Sequence, residues 1–191
     1  MKHLLFIILM AFAITSQAQE TSYICAGGTK VLTATATGGT APITYTWTSP
    51  SAVVTTGATV TASAAGVWTW NATDANGCTA TGTHTVNIEA DPTAGISIVA
   101  VNGCIGSSQT ISATGVPAGY TYSWAFGTDS SPATSTASSA SVSYSSSGTK
   151  TITLQISKTF TGSTNGCSAT CTWTKTTTIT IGNLTGSSSC S

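Results

Sequence analysis

The chain has 191 residues, with five Lys, no Arg and five Asp or Glu, so charged side chains make up 5% of it and the formal net charge is zero. Scattered lysines without a single Arg cannot neutralise a run of phosphates, which argues against nucleic acid and against anionic membranes as partners. Ser and Thr, roughly a third of the residues, must carry the exposed faces, while five Trp, five Tyr and many Val and Ile set the chain apart from a disordered one.

Residues 1–18 read as a secretory signal peptide: Lys2 near the start, an apolar run from Leu4 to Ile14, and Ser16-Gln17-Ala18 as a small-x-small cleavage site. The run is about 11 residues, short of the roughly 20 that span a bilayer. No later apolar run is longer, so no transmembrane segment is expected. Gln19 and Glu20 follow the cleavage site where a lipid anchor would require Cys, so a secreted chain is expected, with four Lys against five acids.

From residue 19 on, short alternating runs recur about every ten residues between Gly, Pro, Asn and Asp, the pattern of an all-β sandwich. Strands are expected near 31–36, 43–48, 52–55, 59–63, 66–73 and 79–88. In "PITYTWTS", Ile43, Tyr45 and Trp47 share one parity and Thr44, Thr46 and Thr48 the other. A second series follows near 95–101, 109–113, 119–126, 140–144, 148–157 and 170–181. There Ile152, Leu154 and Ile156 are expected to face a core and Thr151, Thr153 and Gln155 to face water. The two series align as an internal repeat in which Cys25 answers to Cys104, Trp47 to Trp124 and Cys78 to Cys167. The second copy is longer by a Ser-rich stretch at 128–141 and by residues around 157–170, insertions expected in loops. Asp91-Pro92 marks the join. The expected organisation is a signal peptide at 1–18, one sandwich at 19–90, a second at 91–182 and a Ser/Gly-rich tail at 183–191.

Six cysteines in an exported chain are expected to form disulfides. The repeat suggests Cys25 with Cys78 and Cys104 with Cys167, leaving Cys171 and Cys190. The first pair would close a loop worth about 4 kcal/mol in the chain-entropy view. Only Cys167 and Cys171 lie near each other in sequence, and no second pair or His cluster completes a zinc site.

Candidate chemistry is thin. His84 is the single histidine after the signal peptide, on the parity of Val86 and Ile88, and reads as a strand histidine packed on the sandwich. No Gly-x-Ser-x-Gly elbow occurs, and no triad can be assembled around one His from the sequence. The carboxylates sit in turns, linkers and termini. Asp74, Glu89 and Asp91 are weak candidates for a calcium site, since hard cations take several oxygens. Trp68 and Trp70 in "GVWTWNAT" share a face and are candidates for stacking on a sugar ring, with Trp173 a weaker one; core packing is the competing reading. No cofactor is expected.

The segments "ATATGGTAPITYTWTS" and "ATDANGCTAT" closely resemble the repeat modules of gliding-motility and other cell-surface adhesins of Gram-negative bacteria that export through the type IX system. The second copy resembles the PKD (polycystic kidney disease) domain, whose "W-D-F-G-D-G" segment is approximated by "WAFGTD" at 124–129; Ala125 and Thr128 stand where Asp would be expected, so no acid-dependent role carries over. Both resemblances imply tandem immunoglobulin-like β-sandwiches in a non-enzymatic, secreted or surface-bound adhesion or matrix protein. Its expected partners are an extracellular protein, a glycan or a second copy of itself. A self-assembling filament subunit and an ancillary carbohydrate-binding module are the alternatives.

Overall fold

The computed structural model describes residues 15–16, 19–161, 169–185 and 189–190. Its regular structure is strand, with one short 3-10 turn at Thr93–Gly95. Among the described residues no helix is long and apolar enough to cross a membrane. The strands fall into two compact units, divided between Glu89 and Ala90.

The first unit contains β1 (Thr15–Ser16), β2 (Glu20–Cys25), β3 (Lys30–Thr33), β4 (Ala36–Thr37), β5 (Thr44–Thr48), β6 (Val54–Thr56), β7 (Thr59–Ala62), β8 (Gly66–Thr73) and β9 (Thr79–Glu89). Five of these form one sheet in the order β2-β9-β8-β5-β6, and β3 pairs with β7 in a second. The alternation visible in the sequence decides which face is buried. Trp68, Trp70 and Ala72 of β8 point inward while Thr69 and Asn71 between them face water. They share one core with Ile24, Leu32, Trp47 and Val86, so both sheets contribute to it. Trp47 lies opposite Trp70, and Trp70 lies opposite Gly82 of β9. That glycine is required. A Cβ there would come within 2.6 Å of the Trp70 ring.

The second unit contains β10 (Ser97–Val99), β11 (Gly103–Cys104), β12 (Ser108–Thr114), β13 (Thr121–Ala125), β14 (Ser130–Ser131), β15 (Thr134–Ser135), β16 (Ser139–Tyr144), β17 (Gly148–Phe160), β18 (Ala169–Gly182), β19 (Leu184–Thr185) and β20 (Ser189–Cys190). One sheet runs β11-β18-β17-β13-β15 and the other β10-β12-β16-β14. Ile152, Leu154 and Ile156 are buried with Trp124, Phe126, Val142 and Tyr144 in the core between them, while Thr151 and Gln155 are exposed. The five-stranded sheets of the two units correspond strand for strand. Each begins with a short strand parallel to the unit's long closing strand, β2 on β9 and β11 on β18. The closing strand's hairpin partner, the Trp-bearing strand and a short return strand then follow.

Both insertions of the second unit differ from expectation. The Ser-rich stretch 128–141 contains β14, paired with β16, and β15, paired with β13, so it passes from one sheet to the other as ordered edge. Asp129 turns the chain there with a φ of 62°. The other insertion lengthens a ladder. β17 and β18 pair continuously from Gly148↔Ile181 to Phe160↔Ala169, whereas β8 and β9 pair only from Gly66↔Val86 to Thr73↔Thr79. Residues added equally on both sides of a hairpin turn extend it without disturbing register. The expected Ser/Gly tail is also partly ordered, with β19 pairing to β20. Of the expected signal peptide only Thr15–Ser16 is described, paired with Ala36–Thr37; residues 1–14 and 17–18 lie outside the described residues.

The expected Cys25–Cys78 staple is corrected. Cys78 is a free, exposed thiol, while Cys25, Cys104 and Cys171 are each disulfide-bonded. Strand direction explains the error. Because β2 runs parallel to β9, Cys25 lies beside Glu89 at the far end of β9, and Cys78 lies just before its beginning. β9 has 11 residues, about 35 Å of extended strand, against the roughly 7 Å limit between the Cα atoms of a disulfide. Cys104 likewise lies beside Gly182, at the opposite end of β18 from Ala169. Cys167 lies outside the described residues, and the expected Cys104–Cys167 pairing falls there; Cys171 is disulfide-bonded, but not to Cys190 as expected.

Two measurements test this packing. Gly82→Ala is expected to lower unfolding free energy by about 1–3 kcal/mol through overpacking against Trp70, read from denaturant midpoints at constant m-value. In the native, unreduced protein Cys78 is expected to take up an alkylating reagent, and non-reducing peptide mapping to give no Cys25–Cys78 cross-linked peptide.

Candidate functional site

The parallel register of β2 on β9 places Glu20 beside His84 and Ser22 beside Val86. Alternation turns Glu20, Ser22 and Ile24 to one side of β2, the side to which His84 and Val86 point from β9. On the other flank of β9, Trp68 of β8 lies opposite His84. Glu20 and Ser22 thereby meet His84, more than sixty residues away in sequence. Ser22 Oγ is 2.8 Å from His84 Nε2, and His84 Nδ1 is 3.3 Å from Glu20 Oε2. With Nδ1–H donating to the carboxylate, Nε2 is left to accept the Ser22 hydroxyl proton. Each group is then used with its natural polarity.

Hydroxyl, imidazole and carboxylate in that order form the arrangement that activates serine nucleophiles. The sequence showed no trace of it, because no local spacing connects Ser22 to His84. Burial decides what it does here. Ser22 is 5% exposed and His84 6%, so the hydroxyl points into the sandwich, out of reach of a carbonyl that would have to sit about 3 Å from it. The cluster joins β2 to β9, the last strand of the unit. Burial pushes the His84 imidazole below its ordinary value of 6.5; the Glu20 charge opposes this and the Lys30 charge adds to it. The ring is therefore neutral at physiological pH.

The other candidates are placed as follows. Trp68 and Trp70 are 6% and 5% exposed, and the Trp68 indole N–H donates to the Ala64 carbonyl at 3.2 Å. Both are core residues, a correction to sugar stacking with a simple reason: inward parity on a strand covered by a second sheet leaves neither ring face to solvent. Trp173 is half-buried, 5.8 Å from Tyr120 between ring centroids, and packs on the second unit's core.

Asp74 and Glu89 do not converge on a cation. They stand at opposite ends of β9, and Asp74 is occupied as a turn organiser. Its Oδ2 accepts from Thr40 N at 2.9 Å, and its Oδ1 from Asn76 N at 3.0 Å and Cys78 N at 2.8 Å. The Thr40 N–H, with help from Cys78 and Asn76 and against the opposing effect of burial, holds this carboxyl below the usual range. Asp91 accepts from Thr93 N at 2.8 Å. Among the described residues no group of three His, Cys, Asp or Glu is placed to hold a metal ion.

In the second unit Lys150 is buried beside the Tyr144 ring. Its Nζ donates to Ser146 Oγ at 2.8 Å and lies 3.5 Å from Asp129 Oδ2. The surface of the first unit carries the more telling feature: Val53 and Val54, 60% and 62% exposed, where the chain enters the edge strand β6.

No protein-family model and no curated protein matches the chain. Among solved structures it is similar to the N-terminal eight immunoglobulin domains of Down Syndrome Cell Adhesion Molecule isoform 1.30.30, with a TM-score of 0.51 and 16% identity over 90% of this chain and 24% of that one. The fold is immunoglobulin-like. The chain thus spans about a quarter of the length of that structure. Sidekick-1 immunoglobulin domains 1–4 match at a TM-score of 0.38 and 15% identity, over 89% of this chain and 49% of that one. Murine CEACAM1b matches at a TM-score of 0.36 and 12% identity, over 90% of this chain and 99% of that one.

Ser22→Ala removes the donor to His84 Nε2 and leaves that nitrogen buried without a partner. It is expected to lower unfolding free energy by about 1–3 kcal/mol in denaturant melts at neutral pH.

Proposed function

We propose that the chain is a non-enzymatic adhesion or matrix protein built from immunoglobulin-like modules and exported to the surface or surroundings of a Gram-negative bacterium. The observation that carries the reading is the burial of Ser22 and His84, which turns an arrangement able to do nucleophilic chemistry into a strand-to-strand tie. Three disulfide-bonded cysteines agree with an oxidising, extracellular compartment. The signal-peptide pattern and the resemblance of "ATATGGTAPITYTWTS" to surface adhesin repeats support export and adhesion. With charge so sparse, recognition falls to backbone edges, hydroxyls and exposed apolar side chains rather than to ion pairs.

The partner is a protein, engaged through the β6 edge of the first unit. Among the described residues Val54–Thr56 pairs only with β5 within its sheet, and the other side of such an edge can accept a further strand. Exposed Val53, just before the strand, and Val54 within it supply the apolar contact that makes such an edge adhesive. The same feature favours a second reading, in which the added strand comes from another copy and the protein assembles.

Replacing Val53 and Val54 together by Asp tests both. Sedimentation of the parent protein is expected to show association that the double variant lacks if the partner is a second copy. If it is a different protein, binding to cell-surface extracts is expected to fall at least about tenfold with the circular dichroism unchanged. Labelling of Ser22 by a fluorophosphonate in the folded protein would overturn the non-enzymatic reading.

A further inference from the structure

We propose that β10 of one copy is the strand that β6 of another accepts, so that the chain associates head to tail through two different edges. This rests on the assembly reading given above and names the surface that meets β6. Among the described residues seven large hydrophobic side chains are exposed, and four of them fall at these two edges: Val53 and Val54 at β6, Val99 and Val101 at the end of β10. β10 ends its four-stranded sheet as β6 ends its five-stranded one, and within those sheets each pairs with a single neighbour, β12 and β5. The other ends of the four- and five-stranded sheets are guarded against strand addition by charge, by Pro or by shortness. β2 begins at Glu20, Pro132 directly follows β14, and β11 and β15 have two residues each.

The backbone points the right way at both edges. In β6, Ser49 N donates to Val53 O and Gly57 N to Tyr45 O, both at 2.9 Å. Antiparallel pairing alternates bonded with non-bonded partners, so Thr55 turns its N–H and C=O to β5, while those of Val54 and Thr56 point away from it. In β10, the partner of Ile98 is Ala113 of β12. Ala113 donates its N–H to the far side, to Ser138 O at 3.4 Å. Ile98 and Ala113 are therefore a non-bonded pair, and Ile98 turns its own N–H and C=O outward. Ile98 and Ala100 pack on the core while Val99 and Val101 are exposed, so the extended alternation continues to Val101.

An antiparallel register that sets Ile98 opposite Thr56 and Ala100 opposite Val54 joins these groups in two bonded pairs. Val101 then lies opposite Val53, and Val99 opposite Thr55, in the non-bonded positions where facing side chains come closest. Neither residues 53–56 nor residues 98–101 include a charged side chain, a Pro or a Gly. No ion has to be desolvated in the joint, and no residue in it lacks an N–H. Because the two edges differ, the contact is heterologous. A copy held through its β6 still presents its β10, and a third copy adds by the same contact.

Sedimentation of the exported protein over a range of concentrations tests this with two double variants. Val53→Asp with Val54→Asp spoils β6, and Val99→Asp with Val101→Asp spoils β10. The parent is expected to form a series of oligomers, and each variant alone to associate at least about tenfold more weakly. Mixed one to one, the variants are expected to form a dimer and nothing larger, since the intact β10 of the first meets the intact β6 of the second. Near-ultraviolet circular dichroism matching the parent's qualifies each variant; should an Asp variant fail to fold, Thr at the same positions, which keeps the preference for strand, takes its place. A β10 variant that associates as strongly as the parent, beside an impaired β6 variant, would overturn β10 as the partner and leave assembly through β6 standing. A mixture that stays monomeric or grows beyond dimers would also overturn the proposal, and a monomeric parent would remove the assembly reading with it.

Discussion

Each unit is closed by laying a short early strand alongside its long closing strand, in parallel, and much of the arrangement within the unit follows from that contact. The rest of each five-stranded sheet is antiparallel, with β8–β9, β5–β6 and β17–β18 pairing neighbours in sequence and β5–β8 and β13–β17 pairing across intervening strands. The parallel pairing joins positions more than sixty residues apart in the first unit, Glu20 with His84 and Cys25 with Glu89. It therefore carries the loop-closure entropy of the whole unit, and no tight turn can supply it. Once formed, it determines which residues share an end of the sandwich. It carries Cys25 away from Cys78, and it brings Ser22 and Glu20 to either side of an imidazole that would otherwise be buried with unmet hydrogen bonds.

Scarcity of charge gives the few ionic side chains structural duties. Asp74 accepts three backbone N–H groups and holds the β8–β9 turn together with Thr40. Lys175 donates to the carbonyls of Thr93, at 2.8 Å, and Ile96, which secures the entry to β10 against β18. Lys150 and Asp129 tie the strand-switching segment to β17 through Ser146. Each group is satisfied mainly by backbone or hydroxyl oxygen and nitrogen, consistent with the cost of burying an unpaired charge. The outer faces are left to Thr and Ser, whose hydroxyls also bond across strands, as Ser108 does with Ser141 at 2.7 Å and Thr159 with Thr170 at 2.9 Å.

Such a surface offers a partner shape and backbone rather than charge. It has little long-range field to steer a partner or to hold a polyanion. In the first unit, among the described residues, the outer edge of β6 with Val53 and Val54 forms a short, apolar surface. The nucleophile-like cluster shows why residue identities alone do not define a site. Ser, His and Glu stand in productive order, yet the sheet that aligns them also covers them.

Alternation by itself determined the strand class, the inward parity of Trp47, Trp124 and Ile152–Leu154–Ile156, and the repeated plan of the two units, because side-chain period and turn chemistry are local properties. The same local evidence left Trp68 and Trp70 ambiguous, since parity names a face without saying whether another sheet covers it. It misjudged the insertions, since added residues look alike in a loop and in a lengthened hairpin. Strand direction, the fate of Cys78 and the meeting of Ser22, His84 and Glu20 were decided only by tertiary structure. Parallel or antiparallel pairing reverses which ends coincide, and nothing within a strand's own residues records the direction of the neighbour it will find.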